Sequence, residues 1–286
     1  MTGACDCHAH VFGPYDRFPL AADRPYTPGE ASVANLRAMH AALGVERVVL
    51  VAASPYGTDN ASLLDALRRL GPQAGRGVVA VDPGAISDAD LDAMHAAGVR
   101  GVRVNLASVG ANDPAAAGDA FRAAAARVAS CGWHVDLHAG LDVIAALHET
   151  MATSSATTVV DHFGLADPAA GTAQAGFGAL RDLAAAGAAY VKLSAPERIT
   201  ADPDSGPVAA LARALLDAAP DRMLWASDWP HTGGGPHGGG ARDPAEVEPF
   251  RDVDDARALA RLRAWTRGED ELRRVLVENP ARLYGF

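Results

Sequence analysis

The amino-acid sequence predicts an α/β protein that folds as a (β/α)8 barrel, or TIM barrel, in a single domain spanning residues 1–286. Short valine-rich runs alternate with alanine- and leucine-rich stretches whose apolar residues recur at three- and four-residue spacing. This alternation predicts parallel strands joined by helices. Eight such units fit into the chain, and no break in composition separates two domains. Eight is the number of units that closes a barrel.

The predicted strands are short apolar runs: Cys5–Val11, Arg47–Ala53, Gly77–Val81, Gly101–Leu106, Trp133–His138, Thr158–Phe163, Tyr190–Ser194 and Met223–Asp228. The predicted helices share the helical spacing of Leu, Ala and Met: Ala31–Leu43, Ala61–Leu70, Asp88–Ala97, Ala115–Ala129, Leu141–Met151, Gly178–Ala186 and Pro207–Ala218. Glu246–Asp254 and Asp255–Leu283 are expected to add closing helices. A doubly wound open sheet is the alternative fold, but it needs a glycine-rich phosphate turn after the first strand, and Val11-Phe12-Gly13-Pro14 is not one.

The composition limits the partners that the chain can have. The formal net charge is −10 and the mean hydropathy is +0.02, as in ordinary acidic globular proteins. Nucleic acids and anionic membranes attract basic surfaces, so neither is an expected partner. No apolar run reaches the roughly 18 residues of a transmembrane helix. A small anionic organic substrate is compatible with this charge, because it meets only the local field of its pocket.

The cysteines indicate the compartment. Cys5, Cys7 and Cys131 lack Cys-x-x-Cys spacing, and their odd number predicts free thiols in a reducing environment. The first predicted strand begins almost at once and leaves no room for a signal peptide, so we expect a cytoplasmic protein. The sequence carries no obvious assembly motif, and a homo-oligomer is compatible with it.

The most informative motif is Asp6-Cys7-His8-Ala9-His10 in the first predicted strand. Residues two apart in a strand point to the same side, so His8 and His10 direct two imidazoles to one place. We expect Cys7 and Ala9 to face the opposite side, where Cys7 packs. Two imidazoles that converge at a strand end can hold a metal ion or polarise a substrate carbonyl group.

Polar side chains also mark the other predicted strands, although a structural barrel layer would carry Val, Ile and Leu. They fall at or near the carboxyl ends of strands, where barrel enzymes place their active sites. These residues are Ser54, Tyr56, Arg103, Asn105, His134, Asp136, His138, Asp161, His162, Lys192, Ser194, Arg198, Asp228 and His231. Six strand ends with this property indicate an enzyme. The non-enzyme alternative, a barrel kept only for binding, predicts that these residues can be replaced without loss of turnover.

Seven sequence blocks carry a resemblance to a known family, and they follow one another along nearly the whole chain. They are Asp6–His10, Tyr56–Asn60, Gly98–Arg103, Asp161–Gly164, Val191–Ser194, Trp225–His231 and Glu278–Tyr284. The chain resembles the amidohydrolase superfamily, of the amidohydrolase-2 type, and within it the lactone hydrolases that include pyrone-dicarboxylate lactonase. The resemblance implies a (β/α)8 barrel that opens a small carboxylated lactone or a related cyclic ester. A decarboxylase or hydratase, a lyase on the same scaffold, is the alternative function.

The resemblance also implies roles for single residues. Asp228 matches the general base that takes a proton from water. His8, His10 and His162 match the catalytic histidines that hold and polarise the carbonyl group. Further side chains are candidates for substrate binding, the first two as arginines that bind carboxylates: Arg103, Arg198, Ser54, Tyr56, Asn105 and His231. For Ser54 and Tyr56 the alternative is a turn-building role of Pro55–Asn60, and for His231 it is a loop-capping role.

Two departures from the lactonase pattern leave the substrate and the cofactor open. The lactonase carries a second arginine shortly after the one that matches Arg103, but the segment that begins at Asn105 has none. His138 stands where the metal-free lactonase has a tyrosine, whereas metal-dependent relatives keep a histidine there. In one alternative His8, His10, His138 and Asp228 surround one divalent ion, with Zn²⁺ favoured by the nitrogen-rich ligands. In the other alternative no metal is bound.

Three smaller expectations concern residues outside this set. Lys192 is expected to be an interior ion-pair partner rather than a catalyst. His40, His95 and His148 lie in predicted helices and are expected at the surface. The glycine-rich segment Gly233–Gly240 is expected to form a mobile lid or a flexible insertion.

Overall fold

The computed structural model describes residues 1–107, 113–233 and 243–286. The core is an eight-stranded parallel sheet in which each strand pairs with the next one along the chain. Its strands, β1 to β8, are Cys5–Ala9, Arg47–Val51, Gly75–Val79, Val99–Asn105, His134–His138, Thr158–Val160, Ala189–Ser194 and Met223–Ala226. The sheet closes where the His10 N–H donates to the Trp229 carbonyl oxygen at 2.8 Å and the Asp228 N–H donates to the His8 carbonyl oxygen at 3.0 Å. The predicted barrel is confirmed.

Helices cover the outside of the sheet and bury the apolar layer between them and the strands. In chain order, α1 to α11 are Val33–Leu43, Ala61–Leu70, Asp88–Ala96, Pro114–Val128, Leu141–Ala146, His148–Ala152, Phe177–Ala185, Gly206–Ala218, Asp255–Trp265, Glu269–Arg273 and Asn279–Tyr284. Local capping fixes several of the starts. The side-chain oxygens of Ser32 and Ser87, for example, each accept a hydrogen bond from the backbone N–H three residues later.

The C-terminal third differs from its prediction in two places. Glu246–Asp254 is not a helix, because Pro249 interrupts it and Val247–Glu248 instead pairs with Thr27–Pro28 as a two-residue parallel ribbon. The predicted helix Asp255–Leu283 is divided around Gly268, whose φ of +124° is outside the helical region. The predicted helix Leu141–Met151 is likewise split, with a break at Leu147.

An irregularity in β1 changes which side chains face the barrel interior. Asp6 pairs with Val48 and Ala9 with Leu50, so that Cys7 and His8 together lie opposite a single residue. This is a β-bulge. Cys5 and Cys7 belong to a buried cluster with side chains from five further strands, which can meet only inside the barrel. The expectation that Cys7 faces away from the histidine side is therefore wrong, although its packing is confirmed.

Two further predictions concern membrane-spanning helices and the glycine-rich segment Gly233–Gly240. Among the described residues, no helix combines the length and the apolar character that crossing a lipid bilayer requires. The predicted glycine-rich lid continues past Gly233 into residues 234–240, which lie outside the described residues.

Candidate active site

The two histidines of the first strand lie at its carboxyl end and are nearly inaccessible to solvent. Their Nε2 atoms are 3.2 Å apart, and His10 Nδ1 lies 2.8 Å from the carbonyl oxygen of Val51. A carbonyl oxygen only accepts hydrogen bonds, so His10 Nδ1 carries the donated proton. Burial, followed by His8 and Arg103, lowers the pKa of His10 well below its usual value. His10 is therefore neutral near pH 7, with an unprotonated Nε2.

Asp228 follows β8 and divides its two carboxylate oxygens between different tasks. Oδ2 accepts a hydrogen bond from Nε of Arg198 at 2.7 Å and lies 2.7 Å from Nη2 of the same residue. Oδ1 has no hydrogen-bond partner among the described residues, and it lies 3.6 Å from His162 Nε2 and 3.8 Å from His8 Nε2. Burial raises the pKa of Asp228, but Arg198, His162 and His8 outweigh it and hold this pKa well below its usual range. Asp228 is thus ionised with one oxygen available.

The backbone is unusual just after β6 and β8, where His162 and Asp228 lie. Asp228 has a φ of +66° and His162 a φ of +48°, in the left-handed region that non-glycine residues rarely occupy. Such strain is concentrated at functional sites. His162 Nδ1 lies 2.8 Å from Ser194 Oγ at the end of β7, which orients the ring. We call His162, Arg198 and Asp228 the mouth cluster.

A second charged group lies one layer deeper in the barrel. Lys192 Nζ is 2.5 Å from Asp136 Oδ2 and 2.8 Å from Asp161 Oδ1, and all three side chains are fully buried. Although burial lowers the pKa of Lys192, Asp136 and Asp161 raise it above its usual value, so the ammonium stays charged. The expectation that Lys192 is an interior ion-pair partner is confirmed. We call Lys192, Asp136 and Asp161 the inner cluster.

The predicted substrate-binding residues of strand four are tied to their neighbours. Arg103 donates from Nη1 to the Ala52 carbonyl oxygen at 2.8 Å, and its Nη2 lies 3.4 Å from Asp161 Oδ2. Asn105 donates from Nδ2 to Ser54 Oγ at 2.8 Å, and its Oδ1 lies 3.1 Å from His138 Nδ1. These contacts connect the ends of the second, fourth and fifth strands beside the histidines.

Tyr56 and His231 direct their polar atoms to loops and helices. The Tyr56 hydroxyl accepts a hydrogen bond from the Gly13 N–H at 2.8 Å, while the ring stacks against Phe12. His231 Nε2 lies 3.1 Å from Asp255 Oδ1 at the start of α9. These partners agree with the turn-building and loop-capping alternatives. Substrate binding by either side chain stays a prediction.

Asp6 holds the two ends of the sheet together, a role that the sequence patterns did not indicate. Its carboxylate accepts hydrogen bonds from the N–H of His8 and from both the N–H and the hydroxyl of Ser227. His40 Nε2, on α1, lies 3.0 Å from the same carboxylate. His40 is therefore buried rather than at the surface, and that expectation is wrong. Helical periodicity cannot predict such a contact, since a distant strand supplies the partner.

Some of these side chains lie close enough to share a cation. One group among the described residues consists of His8, His162 and Asp228, whose ligand atoms lie within 4.8 Å of one another. Of the predicted metal set, only His8 and Asp228 belong to this group. His10 Nε2 is directed at His8, and the His138 ring packs edge-on against His162 with centroids 5.5 Å apart. By distance alone, His162 takes the place that was predicted for His138.

Comparison with known proteins shows which family this chain belongs to. The family model described as amidohydrolase matches residues 5–286. A 2-pyrone-4,6-dicarboxylate hydrolase of Comamonas testosteroni is 35% identical, covering 99% of this chain and 90% of the relative. A 4-sulfomuconolactone hydrolase of Hydrogenophaga intermedia is 34% identical, covering 99% and 89%.

The fold agrees with the same comparison. A solved structure from Pseudomonas putida, assigned as a 2-pyrone-4,6-dicarboxylic acid hydrolase, superposes with a TM-score of 0.81 at 32% identity. It covers 100% of this chain and 98% of that one. The family match therefore spans the barrel together with every strand end that carries the mouth and inner clusters. This chain belongs to the amidohydrolase family.

Proposed function

We propose that this protein is a hydrolase that opens a small carboxylated lactone or a related cyclic ester by adding water. The observation that carries the proposal is Asp228 Oδ1, an ionised oxygen that has no hydrogen-bond partner among the described residues and faces the Nε2 atoms of two histidines. The lactone hydrolases among the relatives support the same reaction class.

In this mechanism Asp228 is the general base. Arg198 holds Oδ2 and leaves Oδ1 to accept a proton from the water that attacks the lactone carbonyl carbon. Histidine N–H groups beside Oδ1 stabilise the negative charge that develops on the carbonyl oxygen. The carbon–oxygen bond of the ring then breaks, and the proton taken by Asp228 passes to the departing ring oxygen. The product is a hydroxy acid or its tautomer.

The substrate is expected to be anionic because arginines border the proposed reaction centre. Arg103 pairs with Asp161 and Arg198 with Asp228, so each guanidinium group is held in a fixed orientation. A guanidinium group can bind a carboxylate through two parallel hydrogen bonds, which would fix the ring for attack. Asn105 and Ser54 add neutral hydrogen-bonding groups on the same side.

The two cofactor alternatives differ in what His8 Nε2 carries. A zinc ion held by His8, His162 and Asp228 would polarise the carbonyl group and lower the pKa of a bound water. It requires a lone pair on His8 Nε2. The metal-free alternative requires a proton on the same atom. The protonation of one ring nitrogen therefore distinguishes the two.

Product analysis with defined lactones tests the proposed function. The purified protein is incubated with 2-pyrone-4,6-dicarboxylate or a muconolactone in ¹⁸O-labelled water. We expect ring opening without release of CO₂, and one labelled oxygen in the new carboxylate. An uncharged lactone of the same ring size is the control and should be opened far more slowly. Release of CO₂ would instead support the lyase alternative, and no turnover of any anionic lactone would contradict the proposal.

A further inference from the structure

Lys192 contacts not only its two carboxylates but also the catalytic histidine above them. Its Nζ lies 3.0 Å from His8 Nδ1, and both residues are fully buried. An ammonium group has three N–H donors and no acceptor. The three nearest polar atoms are Asp136 Oδ2, Asp161 Oδ1 and His8 Nδ1, so one donor is available for each. Full satisfaction of this buried ammonium requires His8 Nδ1 to be the acceptor.

The opposite edge of the His8 ring leads to the same assignment. His10 donates its Nδ1 proton to the Val51 carbonyl oxygen, which leaves His10 Nε2 as an acceptor. His8 Nε2 lies 3.2 Å from this atom. Two lone pairs would repel each other at that distance, so the proton between the rings belongs to His8. Both contacts of His8 therefore agree on one tautomer.

We propose that Lys192 is a positioning residue that fixes His8 as the Nε2–H tautomer. The hydrogen bonds then run in one direction, from Lys192 to His8, from His8 to His10 and from His10 to the Val51 carbonyl. His8 presents an N–H rather than a lone pair toward the mouth cluster. Without substrate this N–H is directed to His10 Nε2, 3.2 Å away. A bound substrate oxygen would replace His10 Nε2 as its acceptor. This use of the donor rests on the proposed function, whereas the tautomer itself does not.

Asp161 competes with Lys192 for the same ring nitrogen. Its Oδ1 lies 3.1 Å from His8 Nδ1 and would accept a proton from that atom if the ammonium were absent. A carboxylate that accepts from one ring nitrogen, with the other left as a lone pair, is the usual arrangement of a metal-binding histidine. Lys192 therefore holds the site in a state that disfavours zinc. Its removal should convert His8 into a metal ligand.

The first test is made on the wild-type protein. Long-range ¹H–¹⁵N spectra of protein labelled on histidine nitrogens distinguish the two neutral tautomers, and the signals are assigned with His8→Gln and His10→Gln variants. We expect His8 to be protonated at Nε2 and unprotonated at Nδ1, and His10 to show the reverse. A proton on His8 Nδ1, in a neutral or a charged ring, would overturn the proposal.

The second test measures zinc binding by competition with a chromophoric chelator. The Lys192→Met/Asp136→Asn variant removes the ammonium together with one of its two carboxylates, so that no pair of uncompensated buried charges remains. Relative to Asp136→Asn alone, which keeps the lysine, we expect zinc affinity to rise by about 10- to 100-fold, the usual effect of a residue behind a metal ligand. Adding His8→Gln should abolish the gain. Equal affinities in the two proteins would contradict the proposal.

The outcomes separate this inference from the proposed function. A wild-type protein that has the expected tautomers but opens no lactone would refute the function and leave the role of Lys192 standing. Active protein with His8 protonated at Nδ1 would do the opposite. If the double variant does not fold, the spectra of the wild-type protein still decide the matter.

Discussion

The mouth cluster and the inner cluster both hold ion pairs inside one barrel, but they differ in their access to solvent. In the inner cluster Asp136 Oδ1 has no hydrogen-bond partner among the described residues, while Asp136 Oδ2 and Asp161 Oδ1 lie 2.5 Å and 2.8 Å from Lys192 Nζ. In the mouth cluster Asp228 keeps one oxygen without a hydrogen-bond partner among the described residues. The Lys192 side chain is 0% exposed, while that of Arg198 is 16% exposed. A pair closed off from solvent can only hold a position, whereas a pair that solvent reaches can take part in a reaction.

His8 connects the two clusters through its opposite ring nitrogens. Nδ1 faces Lys192 and Asp161, and Nε2 faces His10 and Asp228. A change in the inner cluster should therefore reach the mouth without any movement of the backbone. Experiments can test this difference between the two clusters. Mouth variants should affect turnover, and inner variants should affect stability and the protonation of His8.

The largest expected effect is on turnover in Asp228→Asn. Replacing the ionised oxygen by an amide removes the proton acceptor, and kcat should fall by about 10²- to 10⁴-fold. Asp65→Asn is the matched control, because Asp65 is a buried carboxylate paired with arginines on and near α2. That variant should keep its turnover. Steady-state kinetics and circular dichroism check both, and a near-normal kcat in Asp228→Asn would end the general-base assignment.

The inner cluster should respond in stability. Lys192→Met removes the cation of Asp136 and leaves Asp161 with Arg103 alone. Breaking a buried pair in this way costs roughly 3–5 kcal/mol of unfolding free energy. Urea denaturation measures the loss. Asp136→Asn, which keeps the ammonium and one carboxylate, should lose less. A Lys192→Met protein as stable as the wild type would show that the inner cluster does not hold the barrel interior together.

A smaller loss is expected where the layer below the inner cluster is tightly packed. A Cβ atom on Gly101 would lie 2.4 Å from two atoms of the buried His134 ring, which also contacts Tyr284. Gly101→Ala should therefore destabilise the protein by about 1–3 kcal/mol. Gly178→Ala is the control, because this helical glycine has open space around it and alanine should stabilise α7 by roughly 0.5–1 kcal/mol. Thermal and urea unfolding of both variants measure the difference.

The smallest expected effect is that of pH on kcat/KM. The pKa of Asp228 is held far below its usual range, so the carboxylate stays ionised as the pH falls from 8 to 5.5. Burial lowers the pKa of His138 to about 3, and burial also lowers the pKa values of His10 and His162, so these rings stay neutral over the same interval. We expect kcat/KM to change by less than about twofold. A loss of activity centred near pH 6.5 would indicate a histidine base and remove the contrast between the clusters.

The sequence predicted which face of a strand a side chain lies on better than it predicted which residues that side chain contacts. A period of two placed His134, Asp136 and His138 on one face, and the structure has all three inside the barrel. The same period failed for Cys7, because a bulge turns two consecutive residues of β1 inward. Periodicity describes the direction of a side chain within one strand. It contains no information about a bulge that the pairing of two strands creates.

Contacts between residues that are far apart in the chain could not be predicted, because a local sequence pattern contains no information about them. Lys192 and His8 are 184 positions apart, and Arg198 proved to hold Asp228, although the sequence indicated only a substrate-binding role for it. The residue types at the strand ends were sufficient to predict an active site. Their division into a solvent-excluded and a partly exposed pair depends on which side chains meet, and that is set by the closure of the barrel.

The position of Asp6 has a consequence for the synthesis of the protein. Ser227, which donates two of its hydrogen bonds, follows it by 221 residues, so the ribosome makes this carboxylate long before its partner. In a nascent chain that lacks the last strand, the Asp6 carboxylate has no Ser227 to accept from, and the two imidazoles have no Asp228 beside them. Turnover should therefore begin in a single late step. The time at which it begins during translation would report when the final strand docks.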